Sequence, residues 1–343
     1  MDLSNTIKTV LQAYGIDSSQ VSVERINSGH INYTYKVEPG YVLQRINKNV
    51  FLQPRVLSEN LKVVSSFLKK NAPDYLFLHA VNTLSGDDLF FDEEGYPWRL
   101  FPYFVNTETI NEVETVEQAY SAAKAFGLLS SQLTGCDISR FEETIPRFHD
   151  LSLRYEQFEN AFLQASTERK HKVNELIDRY KHYDYLVSQY KNLIQSNQLQ
   201  LRVTHNDTKI NNVLFERGTD HVVCVIDLDT LMPGYFIYDL GDMIRTFVSP
   251  ASEEETDISK IKVRKEIHKA ILDGYLSEMN EILSDAEKLV IPLAGSIMTY
   301  MIGLRFLTDY LNGDTYYQIS YPDQNMNRAN NQLHLLDLLE KQA

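Results

Sequence analysis

One stretch constrains this chain more than any other: Val203-Thr204-His205-Asn206-Asp207-Thr208-Lys209-Ile210-Asn211-Asn212-Val213-Leu214-Phe215. Its middle is polar and its two ends read as strands. Ten residues beyond Phe215 begins Val225-Ile226-Asp227-Leu228-Asp229, a second strand that ends in carboxylates. Phosphoryl transfer needs such a set: a carboxylate to receive the attacking hydroxyl, and oxygen ligands to hold Mg²⁺ against phosphates. Asp207 suits the first task, since a positioned carboxylate accepts the hydroxyl's hydrogen bond and, late in the reaction, its proton. Lys209 can place positive charge beside the transferring group. Asn212 and Asp227 are a neutral and an anionic oxygen donor for the metal, and His205 reads as a residue that holds the loop. Asn and Asp in a loop are also ordinary turn residues. The second acidic strand end, the short hairpin spacing and a β-rich region upstream point beyond that.

The rest of the pattern gives this hairpin a setting. Leu3, Ile7, Val10 and Leu11 space an amphipathic helix at the start. Strands are predicted over residues 21–26, 32–37 and 41–46, parted by Ser28-Gly29 and Glu38-Pro39-Gly40. A helix follows from Pro54 to Lys70, then strands at 88–91 and 96–101 around Asp92-Glu93-Glu94-Gly95. Beyond residue 113 the periodicity is helical at 115–134, 148–165, 169–195, 259–282, 285–311 and 325–341, with one β-rich interval between 201 and 226. The expected fold class is α+β and bilobal: a small antiparallel β-sheet lobe over 1–105 and a larger, mainly helical lobe over 106–343. The chemistry should lie between them.

Composition excludes several alternatives. With 33 Lys and Arg against 47 Asp and Glu in 343 residues, the net charge is −14, which argues against binding a nucleic-acid backbone. Cys136 and Cys224 form neither a disulfide framework nor a zinc pattern. No secretion signal opens the sequence, and the apolar run 289–301 is broken by Pro292, Gly295 and Ser296, short of the ~20 residues a bilayer requires. A cytoplasmic protein without membrane or nucleic-acid partners is expected, and a monomer is compatible with the sequence. The acidic run 252–257 reads as a solvated loop.

The motifs resemble those of the aminoglycoside phosphotransferase and choline kinase superfamily, whose fold is related to protein kinases. Within it the chain is most similar to the N-acetylhexosamine 1-kinases. The resemblance runs through Gly-His-Ile-Asn at 29–32, Tyr-Val-Leu-Gln at 41–44, Trp-Arg at 98–99, Phe-His-Asp at 148–150 and the catalytic stretch itself. It continues through Ile-Asp-Leu-Asp-Thr at 226–230, Met-Pro-Gly at 232–234, Gly-Asp-Met-Ile-Arg at 241–245 and Arg-Phe-Leu-Thr-Asp-Tyr-Leu-Asn-Gly-Asp at 305–314. It implies that ATP and Mg²⁺ phosphorylate the anomeric hydroxyl of N-acetylglucosamine or N-acetylgalactosamine. Asp207 is then the base, with Asn212 and Asp227 as metal ligands. Asp229 either orients Asp227 or Lys209 or caps the strand.

On the nucleotide side, Gly29 can let the backbone close over phosphates, and Phe101 and Tyr103 lie where family members meet adenine. Gln44 stands where kinases carry a strand lysine, so either Gln44 touches phosphate as a neutral donor or Arg45 substitutes. Glu59 is only a weak counterpart for the usual ion pair. On the acceptor side the candidates are His30, Asp207, Asp242, Arg245 and Arg305, with Tyr316 and Tyr317 nearby in sequence. Trp98 reads as a core residue. Two other readings stand beside the sugar kinase: a kinase of the same fold acting on an aminoglycoside or amino alcohol, and a nucleotide-binding module without turnover.

Overall fold

The computed structural model describes residues 3–26 and 32–341. Five antiparallel strands, β1 (Ser22–Ile26), β2 (Tyr33–Glu38), β3 (Tyr41–Arg45), β4 (Phe90–Phe91) and β5 (Pro97–Pro102), form one sheet in the order β1-β2-β3-β5-β4. Side chains alternate across a strand, and that alternation divides the sheet. Tyr35, Val37, Leu43, Trp98 and Leu100 are buried beneath helix α1 (Leu3–Ala13), which supplies Ile7, Val10 and Leu11. Thr34, Gln44 and Arg99 are neighbours in register across β2, β3 and β5, on the other face. Helix α2 (Pro54–Asn71) starts on a proline, whose missing N–H would have no partner in the first turn anyway.

After β5 the chain passes to β6 (Thr107–Glu108), which pairs with the strand Val213–Glu216. Helix α3 (Val116–Gln132) opens on a capping box made by Thr115 and Gln118. Helices α4 (Leu151–Gln164), α5 (Thr167–Lys172), α6 (Asn174–His182) and α7 (Tyr185–Gln195) follow, then β7 (Arg202–Thr204), β8 (Val213–Glu216), β9 (Val222–Val225) and β10 (Met232–Gly234). Helices α8 (Phe236–Phe247), α9 (Lys265–Met279), α10 (Asp285–Lys288), α11 (Ala294–Leu311) and α12 (Gln324–Glu340) complete the larger lobe. Glycines let α3 and α9 pack closely: a Cβ at Gly274 would lie 2.4 Å from the Tyr120 carbonyl, and one at Gly127 2.8 Å from that of Tyr275.

The structure departs from the periodicity in three places. The helix expected over 169–195 is three helices, because Val173 and the Tyr183-Asp184 turn redirect the chain. Each new segment can then bury its own apolar side chains, such as Ile177 and Tyr180, then Leu186 and Val187. The run 285–311 breaks at a 3₁₀ turn containing Pro292, whose ring and missing N–H interrupt an α-helix. Strands β6 and β10 are too short for alternation to reveal. Among the described residues one segment, Ile291–Leu311, is long and apolar enough to cross a membrane by length and composition, and most of it is buried inside the fold.

Candidate active site

Strand β7 runs into the catalytic loop and is paired with β10, Met232 facing Thr204 and Gly234 facing Arg202. The loop turns at Asn206, whose φ of 65° lies in the left-handed region that Asn tolerates better than most residues. Short buried side chains hold this turn. Asn206 Nδ2 donates to the Thr230 carbonyl at 2.9 Å, and Thr230 Oγ1 donates back to the His205 carbonyl at 2.7 Å. Asp239, in the first turn of α8, accepts the backbone N–H groups of His205 (3.0 Å) and Asn206 (2.7 Å). His149 Nε2 donates to the Asn206 carbonyl at 2.7 Å, and burial pushes this imidazole down to about 3, so it is neutral. Gly234 has to be glycine here, since a Cβ would lie 2.3 Å from Thr204 Oγ1 and 2.8 Å from Asn206 Oδ1.

His205 links this loop to the second acidic strand end. Its Nδ1 accepts the Asp207 N–H at 3.2 Å, which leaves the proton on Nε2, and that nitrogen donates to the Ile226 carbonyl at 3.0 Å. Asp207 stands half-buried with Lys209 Nζ 3.6 Å from one carboxylate oxygen and Asn212 Nδ2 donating to the other at 3.1 Å. Burial would raise its pKa, but Lys209 and the Asn212 hydrogen bond outweigh that and hold the carboxyl below its usual range. Asp207 in turn raises the Lys209 ammonium. The two are an ion pair at neutral pH.

Asn212 and Asp227 occupy the same end of the β8–β9 hairpin, because Val213 faces Val225 and the Ile226 N–H donates to the Asn212 carbonyl at 2.8 Å. Asp227 adopts φ 56°, and although part of the residue surface is open to the cleft, protein atoms crowd around its carboxyl at the floor of the site. Desolvation there, with the carboxylates of Asp229 and Asp207, pushes its carboxyl up to about 7, against the pull of Arg99 and Lys209. A hard cation would relieve this crowding, and a carboxylate plus an amide oxygen are ligands it accepts. No cluster of three or more His, Cys, Asp or Glu side chains placed to hold a metal occurs among the described residues.

On the sheet side, Gln44 Oε1 accepts two hydrogen bonds from Arg99, at 3.1 and 2.9 Å, and Gln44 Nε2 donates to Thr34. Arg99 also forms a buried ion pair with Asp229 at 2.5 Å. Arg45 has its guanidinium over the rings of Tyr33 and Tyr96. Glu59 is exposed beside Lys62. Phe101 is buried at the end of β5, and the Tyr103 N–H donates to the Gly40 carbonyl at 2.8 Å. Gly29 and His30 lie outside the described residues.

The other wall is built from long side chains. Arg245 donates through Nε and Nη2 to Asp242 (3.0 and 2.8 Å) and through Nη1 to Glu253 (2.9 Å), and the Asp242 and Arg245 side chains are each 3% exposed. The acidic run is therefore more than a solvated loop: Glu253 joins this buried network and Glu254 pairs with Arg328 and Gln324. Arg305 has no ion pair among the described residues, and its guanidinium lies 4.8 Å from the Phe148 ring centre and under 6 Å from those of Tyr316 and Tyr317. Asp309 shapes that loop by accepting the N–H groups of Thr315, Tyr316 and Tyr317. Asp239, Asp309, Glu253 and Arg99 are the residues that reading the sequence passes over. Their only signal was to fall inside or beside motifs singled out for other residues.

A two-lobed fold with a carboxylate, a paired lysine and an acidic hairpin between its lobes is the arrangement shared with kinase-like phosphotransferases. Residues 22–261 match the phosphotransferase enzyme family, and the chain belongs to it. Solved structures share the fold across nearly the whole chain. A microcompartment-associated aminopropanol kinase is 15% identical with a TM-score of 0.63, covering 98% of this chain and 96% of that one. An aminoglycoside phosphotransferase from Alicyclobacillus acidocaldarius is 12% identical with a TM-score of 0.64, covering 98% and 95%. A choline kinase from Cryptosporidium parvum is 15% identical with a TM-score of 0.58, covering 99% and 96%.

Proposed function

We propose that the protein transfers the terminal phosphoryl group of ATP to the anomeric hydroxyl of an N-acetylhexosamine, N-acetylglucosamine or N-acetylgalactosamine, with Mg²⁺. Nucleotide is bound mainly by residues 1–105, and the acceptor by 106–343. The observation that carries the choice of acceptor is the pairing of its wall: Asp242 and Glu253 are both engaged by Arg245, and among the described residues Arg305 has ring contacts but no ion pair. Cationic amino alcohols and aminoglycosides call for unpaired carboxylates, whereas a neutral polyol carrying an amide carbonyl suits arginine donors and tyrosine rings. The resemblance of the motifs to the N-acetylhexosamine 1-kinases supports the same substrate.

Each residue then has a physical task. Asp207, ionised and oriented by Asn212, accepts the hydrogen bond of the sugar hydroxyl and takes its proton late, since a loose transition state needs no strong base. Lys209 balances charge at the transferring group. Asn212 and Asp227 would hold Mg²⁺, which when bound offsets the negative charge of the phosphate oxygens. Arg305, Tyr316 and Tyr317 position the sugar, with His30 as a further contact.

The test is a panel of free N-acetylhexosamines, plain hexoses, choline, aminopropanol and an aminoglycoside, each with ATP and Mg²⁺, read as ADP released above the no-acceptor rate. Turnover on N-acetylhexosamines alone is expected. Turnover only on the cationic acceptors would replace this reading with that of the aminopropanol and choline kinases, and ATP binding without turnover on any acceptor would leave a silent nucleotide-binding module.

A further inference from the structure

The position of the kinase strand lysine is filled by a neutral residue, Gln44, and the structure shows what surrounds it. Arg99, directly opposite on β5, is 3% exposed. Two of its nitrogens donate to Gln44 Oε1, and its third, Nη1, pairs with Asp229 Oδ1 at 2.5 Å. The other oxygen of Asp229 accepts from Asn32 Nδ2 at 2.7 Å, while Asn32 Oδ1 accepts the Asn47 N–H at 3.0 Å. Asp229 is thus held by side chains of the small sheet and the loop beside it, and it lies in the 3₁₀ turn Leu228–Thr230 that immediately follows Asp227. The far end of this segment is also tied to the small lobe, since Asn60 of α2 donates to the Leu231 carbonyl at 3.1 Å.

We propose that Arg99, oriented by Gln44, is a positioning residue that works through Asp229 to fix Asp227 for the metal–nucleotide complex, in place of the missing strand lysine. It rests on the phosphotransferase reading of the cleft but not on the identity of the acceptor. Other candidates for that task are engaged elsewhere: Arg45 stacks on Tyr33 and Tyr96, and Glu59 faces solvent beside Lys62. A strand lysine paired to a helix glutamate joins two parts of one lobe. The Gln44–Arg99–Asp229 chain instead joins the small sheet directly to the metal-bearing hairpin. Partners that orient metal ligands change metal affinity by about 10–100-fold when removed.

The experiment is calorimetric binding of ATP to the full-length protein without acceptor, once with Mg²⁺ and once with the metal chelated. Arg99→Met and Asp229→Asn are each expected to weaken binding of Mg²⁺–ATP about tenfold or more, with metal-free ATP changed less than about twofold. The double variant should be no weaker than the worse single one, because both act through one link. Arg99→Lys should recover part of the loss. Asn32→Ala, which leaves the ion pair in place and strands no buried charge, should weaken Mg²⁺–ATP a few-fold and serves if the other variants fold poorly. Equal losses with and without metal in Arg99→Met would mean that the arginine touches phosphate directly and would overturn the proposal. So would additive losses in the double variant or wild-type affinity in Asn32→Ala. Wild-type binding of Mg²⁺–ATP with no turnover on any sugar would remove the acceptor assignment and leave this inference standing.

Discussion

The floor of the cleft and the wall that carries Arg245 and Arg305 are built by opposite means. The floor is a backbone held by short side chains: Asn206, Thr230 and Asp239 each contribute buried hydrogen bonds to main-chain groups, and Gly234 lets the strands close beneath them. The wall is a set of long arginines, acidic side chains from a loop, and tyrosines presented by another loop. Short side chains on backbone lose little entropy on ordering and fix positions closely, whereas long ones lose more and can repack. The first arrangement suits chemistry that has to be placed to a fraction of an ångström. The second suits a choice among acceptors.

Substitutions can break this contrast, and the largest effect belongs on the floor. Asp207→Asn keeps the shape and removes the base, so turnover should fall by about 10²–10⁴ while thermal stability and ATP affinity stay close to wild type. Turnover within tenfold of wild type would take the base role away from Asp207. Asp239→Ala leaves two buried backbone N–H groups without acceptors, at about 1–3 kcal/mol each. Urea unfolding should show a loss of about 2–6 kcal/mol, and a loss below about 1 kcal/mol would mean that the floor is less rigidly specified than its hydrogen bonds suggest.

The metal end of the floor predicts a pH dependence. Asp227 has its carboxyl raised to about 7, and a protonated carboxyl cannot ligate Mg²⁺. Metal binding should therefore weaken as pH falls below that value, approaching tenfold per unit. Asp207, held low, stays ionised across the same range. Calorimetry from pH 5 to 8 checks this, and a pH-independent affinity would contradict it. On the wall, Arg305→Met should raise the sugar KM about tenfold, the loss of one or two hydrogen bonds, with little change in the KM for ATP. Smallest of all, Lys260→Ala removes an exposed partner of Glu255 and should shift stability by no more than about 0.5 kcal/mol.

The same contrast explains what the sequence could reveal. That Asp207, Asn212 and Asp227 would lie together was legible because the loop and hairpin fix their spacing along the chain. Asp239 was not, since a carboxylate in the first turn of a helix usually signals a favourable helix dipole, not an acceptor for a distant loop. Arg99 becomes meaningful only through cross-strand register with Gln44. The run 252–257 resembles any solvated acidic loop until the fold brings Arg245 and Arg328 against it. Asp242 and Arg245 were rightly placed on one helical face, but periodicity could not say that they would bond to each other. The spacing of Asp207, Asn212 and Asp227 is set within one loop and hairpin, whereas the partners that hold that loop, such as Asp239 and His149, and those that hold the wall, such as Gln324 for Glu254, come from segments some 30 to 70 residues away.

The position of the phosphate on the product tests the central claim most directly. Proton-coupled phosphorus NMR of the product formed from N-acetylglucosamine or N-acetylgalactosamine, with ATP and Mg²⁺, should show phosphorus coupled to the anomeric proton. Coupling to any other sugar proton, or phosphate found only on choline, aminopropanol or an aminoglycoside in competition, would contradict it.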